Sequence, residues 1–173
     1  MTHELLLLRH AKSDWSVDMD DFSRPLKKRG RRAAKEVGRW LREQHRIPDI
    51  ILSSPATRAL ATAQRVCRQL DMDESTIVFD PRIYEADAST LLAILKSCCH
   101  ERRVLLVGHN PGLEDLLLKL TPHTIPLSAN GKCLPTAALA LLTFEGDWTE
   151  LAEGSATLVT LIRPDSLSEE VKV

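Results

Sequence analysis

The chain has 173 residues, 43% of them hydrophobic and 27% charged, which suits one packed domain and excludes an intrinsically disordered one. Its formal net charge is −1, so no global field draws it to nucleic acid or to an anionic membrane, and neither is expected as a partner. The apolar run Leu5 to Leu8 is too short for a secretory signal, and no run approaches the ~18 residues of a membrane span, so the expected setting is cytoplasmic.

In chain order, Glu4 to Arg9 reads as a buried strand with a charged end. Ala11 to Arg24 is polar, acidic and without periodicity, and reads as a loop. Pro25 is expected to open a helix with Ala33, Val37, Trp40 and Leu41 on its apolar stripe. Lys27, Lys28, Arg29, Arg31, Arg32 and Lys35 form a basic run on that helix, either a solvated face or a dock for an acidic or phosphorylated partner. Ile50 to Ser53 is a second strand. Ser54-Pro55 is expected to start the next helix, with Ala59, Ala63, Val66, Cys67 and Leu70 on one side.

Thr76 to Phe79 reads as a third strand, followed by a loop bearing Tyr84, Glu85 and Asp87. A short helix covers Ser89 to Ser97, and Arg103 to Val107 is a strongly apolar strand. Asn110-Pro111 is expected to begin a helix lined by Leu113, Leu116, Leu117 and Leu120. A Pro-, Ser- and Gly-containing loop runs from Thr121 to Pro135, and two strands follow near Ala137 to Phe144 and Ala156 to Arg163. Repeated βα units predict a three-layer α/β/α sandwich with a largely parallel sheet. The expected domain spans residues 1–164, with a polar, frayed tail at 165–173.

In such sheets ligands bind beyond the carboxyl ends of the strands. The first strand ends in Arg9-His10, the second in Ser53-Ser54-Pro55 with Arg58 a turn later, and the fourth in Gly108-His109-Asn110-Pro111. Two arginines and two histidines are thus expected at one edge. Ser54 and Asn110 suit N-caps and Pro55 and Pro111 suit first helical positions, which would aim two helix N-termini at the same place. Arginine forks and helix N-termini hold phosphate. Histidine adds a neutral nucleophile, and attack on phosphorus would form a phosphoramidate. No Walker motif and no GxSxG elbow is present. His45, His100 and His123 read as surface residues.

The cysteines Cys67, Cys98, Cys99 and Cys133 show no CxxC spacing. They read as reduced thiols, and neither a metal nor a cofactor is expected.

The stretches Leu8-Arg9-His10-Ala11, Leu52-Ser53-Ser54-Pro55-Ala56-Thr57-Arg58-Ala59 and Val107-Gly108-His109-Asn110-Pro111-Gly112 resemble the motifs of the histidine phosphatase superfamily, the phosphoglycerate-mutase-like group. Arg24-Pro25-Leu26 with Gly30, and Leu134-Pro135-Thr136-Ala137, resemble its smaller SixA-type phosphohistidine phosphatases. The resemblance implies that His10 is the phosphorylated nucleophile and that Arg9, Arg58 and His109 form the phosphate pocket, with an N–H from Asn110. It also implies that Glu85 protonates the leaving group. Ala11 stands where the family commonly has glycine, and Lys12-Ser13 where Glu-Thr or Glu-Ser is usual. Lys12 either adds a cation near the phosphate or points to solvent.

The chain has little room for insertions that wall off a substrate. The resemblance therefore implies a phosphorylated partner, most readily a phosphohistidine protein, and suits a mutase poorly. A small phosphomonoester as substrate, or a non-catalytic phosphate-recognition module, are the alternatives.

Overall fold

The structure, a computed structural model, describes residues 1–164; the expected tail at 165–173 lies outside the described residues. Six strands form one sheet in the order β3-β2-β4-β1-β5-β6. They are β1 (Thr2–Arg9), β2 (Ile50–Ser53), β3 (Ile77–Phe79), β4 (Arg103–Gly108), β5 (Leu139–Glu145) and β6 (Thr157–Ile162). The first four lie parallel, while β5 runs antiparallel to β1 and to β6. The α-helices are α1 (Lys28–Glu43), α2 (Thr57–Gln69), α3 (Ala88–Lys96) and α4 (Gly112–Leu120).

β1 and β4 occupy the middle of the sheet, which explains why both read as unbroken apolar runs. Alternation divides each run between two cores. Leu5 and Leu7, with Val104 and Leu106, face α3 and α4. Leu6 and Leu8, with Leu105 and Val107, face α1 and α2. The layers are therefore α/β/α, the phosphoglycerate-mutase-like arrangement expected.

Three helix starts lie later than the sequence suggested. Pro25 does not open α1, because its carbonyl accepts from Asp14 N–H at 2.8 Å and Leu26 forms a bridge with Ser13. The helix begins at Lys28. Its buried stripe carries Ala34, Val37, Gly38 and Leu41, while Ala33 and Trp40 sit half-buried on its flank. Gly30 packs so tightly that a Cβ there would lie 2.2 Å from the Lys12 carbonyl oxygen. This close approach ties the start of α1 to the segment just after His10.

Ser54 is not an N-cap and Pro55 is not a first helical residue. The Ser54 N–H still donates to Val107 O at 3.0 Å, so the sheet ladder holds the chain there, and α2 starts at Thr57. Asn110 and Pro111 likewise precede α4, which starts at Gly112. The Asn110 side chain is spent elsewhere, donating to Leu134 O at 2.8 Å.

Candidate active site

The parallel strands β1, β2 and β4 end together. The His10 N–H continues the ladder onto Gly108 O at 3.0 Å, which sets His10 beside the β4 end that carries His109. The two rings lie 5.1 Å apart, centroid to centroid. Arg58, in the first turn of α2, points its Nε–H at His10 Nε2 at 3.4 Å. Thr62, fully buried one turn further, accepts from Ala11 N–H at 3.0 Å and donates to Arg58 O at 2.7 Å. That hydroxyl braces the segment after His10 against the helix that bears Arg58.

His10 Nδ1 lies 2.8 Å from Ala11 O. A carbonyl only accepts, so Nδ1 carries the hydrogen and the Nε2 lone pair faces the cluster. Burial, opposed by the hydrogen bond to Ala11 O and reinforced by His109, Arg58 and Arg9, pushes the His10 pKa down to about 3. Burial and Arg58 push His109 down to about 4, with Asp21 opposing. Both rings are neutral at neutral pH, so the cations of this cluster are its arginines. His109 Nε2 lies 2.8 Å from Ser54 Oγ, and that hydroxyl oxygen accepts from Ala56 N–H.

Arg9 is half-buried and donates to Leu134 O at 3.2 Å, the same carbonyl that Asn110 holds. Burial lowers its pKa, Glu114 raises it, and Arg58 lowers it. Glu114 in turn accepts from the Leu134 N–H at 2.9 Å, so α4 positions the loop on which Arg9 rests.

Several participants escaped the sequence reading. Asp21 reaches in from the loop after β1, accepting from Arg58 Nη2 at 3.0 Å, Arg24 Nη2 at 2.9 Å and the Tyr84 hydroxyl at 2.6 Å. That Tyr84 hydrogen bond, with Arg58, holds the Asp21 carboxyl below its usual range. The same bond pushes the Tyr84 phenol up to about 12, so it stays a donor. Arg24 is buried, with the exposed Trp15 ring stacked 3.4 Å over its guanidinium. Its Nε and Nη1 are buried without a partner, as is Arg9 Nε. Unpaired buried donors are costly, and three of them flank the carboxylate and the neutral rings. Arg24-Pro25 was visible in the sequence as a motif. Asp21 and Tyr84 lie in aperiodic segments that carry no signal.

Glu85 is exposed, in a left-handed backbone conformation at φ 57°, and its side chain makes no hydrogen bond among the described residues. Lys12 is half-buried and lines a groove with Arg29, Arg32, Pro135 and Thr136. The Asn110 N–H is engaged by no described hydrogen bond. His45, His100 and His123 are exposed, as expected.

The profile of the histidine phosphatase superfamily (branch 1) matches residues 5–93. The chain belongs to this superfamily. An uncharacterized chloroplastic protein of Arabidopsis thaliana is 31% identical over 96% of this chain and 80% of its own length. Among solved structures, a candidate phosphohistidine phosphatase SixA from Agrobacterium tumefaciens superposes with a TM-score of 0.78 at 29% identity, covering 94% of this chain and 99% of that one. Another from Nakamurella multipartitia gives 0.81 at 25% identity, covering 95% and 97%. Within this histidine phosphatase superfamily member, the matched span contains Arg9, His10 and Arg58, while His109 lies beyond it.

The ring ionisation has a spectroscopic consequence. Histidine-selective NMR should show no titration midpoint for His10 or His109 above roughly pH 5, against ~6.5 for a free imidazole. A midpoint near 6.5 for either would contradict the burial that sets them. Below 6.5 the unfolded chain binds protons that the folded chain refuses, so stability from these two sites falls as pH drops from 6.5 towards 4.

Proposed function

We propose that this phosphatase works without metal through a covalent phosphohistidine at His10, and that its substrate is phosphohistidine in a protein. The observation that carries the reading is the Nε2 lone pair of a neutral His10, oriented by the Nδ1–H bond to Ala11 O and met only by the Arg58 Nε–H at 3.4 Å. The substrate phosphoryl group would take Arg58 Nε–H from His10 Nε2 and satisfy the unpaired donors of Arg9 and Arg24. Nε2 then attacks phosphorus in line, forming the P–N bond as the bond to the leaving group breaks. The arginines, His109 and the Asn110 N–H hold the equatorial oxygens, and Lys12 adds charge at the rim. Water next attacks the phosphoramidate, releasing phosphate and restoring the His10 lone pair.

Two observations support a protein substrate. The loop after β1 exposes Trp15, Met19 and Phe22, with Trp15 72% exposed, and it meets the site where Trp15 stacks on Arg24 and Phe22 packs on Tyr84. Apolar side chains gathered at a rim suit contact with another protein. The similarity to proteins assigned as phosphohistidine phosphatases points the same way. A cytoplasmic setting fits the free thiols of Cys67, Cys98, Cys99 and Cys133.

The test is hydrolysis of a phosphohistidine peptide and of an aryl phosphate, each with and without chelator. Turnover of both, preferring the peptide and indifferent to chelator, is expected. Preference for small esters would favour a small-molecule phosphatase, and binding without turnover would favour a recognition module.

Glu85 is the proposed proton donor to the leaving group. An imidazole leaving group carries its own proton, whereas an alkoxide or phenoxide needs one supplied. Glu85→Gln should therefore slow ester hydrolysis by roughly 10²-fold and phosphohistidine hydrolysis far less. Equal losses would remove Glu85 from this role.

A further inference from the structure

Part of the exposed basic run on α1, namely Arg31, Arg32 and Lys35, faces a second set of cations on α2. α1 and α2 pack together on one side of the sheet and leave a groove of about 610 Å³ between their outer surfaces. From α1 it is lined by Arg31, Arg32, Lys35 and Arg39, and from α2 by Arg65 and Arg68. Glu36 is the one carboxylate among the lining residues.

Internal partners account for only part of this charge. Arg68 is paired with Glu74 at 2.8 Å. Arg31 and Arg65 donate to the carbonyls of Leu26 and Ala61, which carry no net charge. Arg32, Lys35 and Arg39 have no ion pair among the described residues. Burial and the neighbouring Arg31 and Arg68 lower the Arg65 pKa, as crowded cations do. A chain with a net charge of −1 has carboxylates enough to disperse this cluster, yet holds it in one groove. Such self-repulsion is relieved when an anion binds.

The groove also leads somewhere. Arg32 and Glu36 line a second groove of about 420 Å³, whose other walls include Lys12, Arg29, Pro135 and Thr136. Lys12 is two residues beyond His10, and Pro135 follows the residue whose carbonyl holds Arg9 and Asn110. A basic track thus runs from between α1 and α2 to the rim of the phosphate pocket.

We propose that this track docks an acidic polypeptide segment flanking the phosphorylated residue of the protein substrate. The inference rests on the protein-substrate reading above and adds where the substrate is gripped. An acidic polypeptide fits better than a nucleic acid because no aromatic side chain lines either groove, which leaves bases nothing to stack on.

The test uses two synthetic phosphohistidine peptides of equal length, one flanked by a run of glutamates and one by serines. Wild type should show a kcat/KM advantage of roughly tenfold for the acidic peptide, carried by KM. The advantage should shrink as salt rises from about 0.05 M to about 0.5 M, where screening closes in. In the triple variant Arg32→Gln, Lys35→Gln, Arg39→Gln the advantage should vanish, while aryl phosphate turnover stays as in wild type and reports an intact fold. An advantage that survives in the triple variant, or none in wild type, overturns the docking proposal.

Direct binding of polyglutamate to wild type and to the triple variant separates docking from substrate choice. Binding that depends on the three cations supports the dock even if neither peptide is hydrolysed, an outcome that would sink only the phosphohistidine reading. A single-stranded oligonucleotide that outcompetes polyglutamate for the groove overturns the choice of occupant.

Discussion

Replacing His10 by alanine is expected to lower turnover of an aryl phosphate by roughly 10⁴-fold or more, because it removes the atom that forms the covalent bond. The fold should survive. His10 is buried, but its ring is held only by its bond to Ala11 O and the longer one from Arg58 Nε–H, and its backbone N–H bond to Gly108 O is unaffected by the substitution. A matching thermal midpoint would separate loss of chemistry from loss of structure. Rapid quench of the wild type with labelled substrate should trap a label that is stable to alkali and lost in acid, as a phosphoramidate is. The alanine variant should trap none. Residual turnover near the wild-type rate would show that another group accepts the phosphoryl, and the proposed mechanism would fall.

Arg58→Ala should be nearly as severe, with a loss on the order of 10³-fold in kcat/KM. Its guanidinium contacts three parts of the cluster at once: Nε faces His10, Nη1 holds Asp21 O at 2.6 Å, and Nη2 holds the Asp21 carboxylate. Deleting it removes the fork nearest the attacking nitrogen and leaves that carboxylate to Arg24 and Tyr84 alone. Arg58→Lys should recover little, because an ammonium cannot span the same geometry. Steady-state kinetics on the two variants decides this; substantial rescue by lysine would mean that charge alone matters there.

Asp21 gives these kinetics a second layer. Its carboxylate sits between Arg58 and Arg24, where a phosphate oxygen would find the same donors. Substrate must therefore compete with an internal anion for them, or share them with it. The loop after β1 is thus part of the proposed anion pocket as well as a connection.

Much of this was legible in the sequence. The unbroken apolar runs of β1 and β4, the short helices with leucine stripes and the alternation of the two types led directly to a layered α/β sheet. That topology sends β1, β2 and β4 the same way and so gathers Arg9, His10, Arg58 and His109 at one edge. Their meeting follows from strand direction alone, since parallel neighbours end together.

What the sequence could not show is where the turns fall and which loop residues come back. Ser54 and Asn110 read as helix caps because local propensity favours them there. The sheet ladder at Ser54 and the Leu134 carbonyl beside Asn110 outbid that preference. Ser54 became a partner of His109 instead of a cap.

By itself, then, the sequence determined the layers, the shared direction of β1, β2 and β4 and the four residues at or just past their ends, because periodicity is local and repeated βα connections make strands parallel. The antiparallel β5 and β6 were not read from it. Only the tertiary structure decided the His10 tautomer, the neutral state of both rings, the buried Arg24 and the reach of Asp21 and Tyr84. Those depend on burial and on contacts between residues far apart in the chain, as Tyr84 and Asp21 are, and no periodicity encodes such contacts. The basic run read first as a solvated helix face, with a dock as the alternative. The packing of α1 on α2 turned it into a groove by bringing Arg65 and Arg68 opposite it.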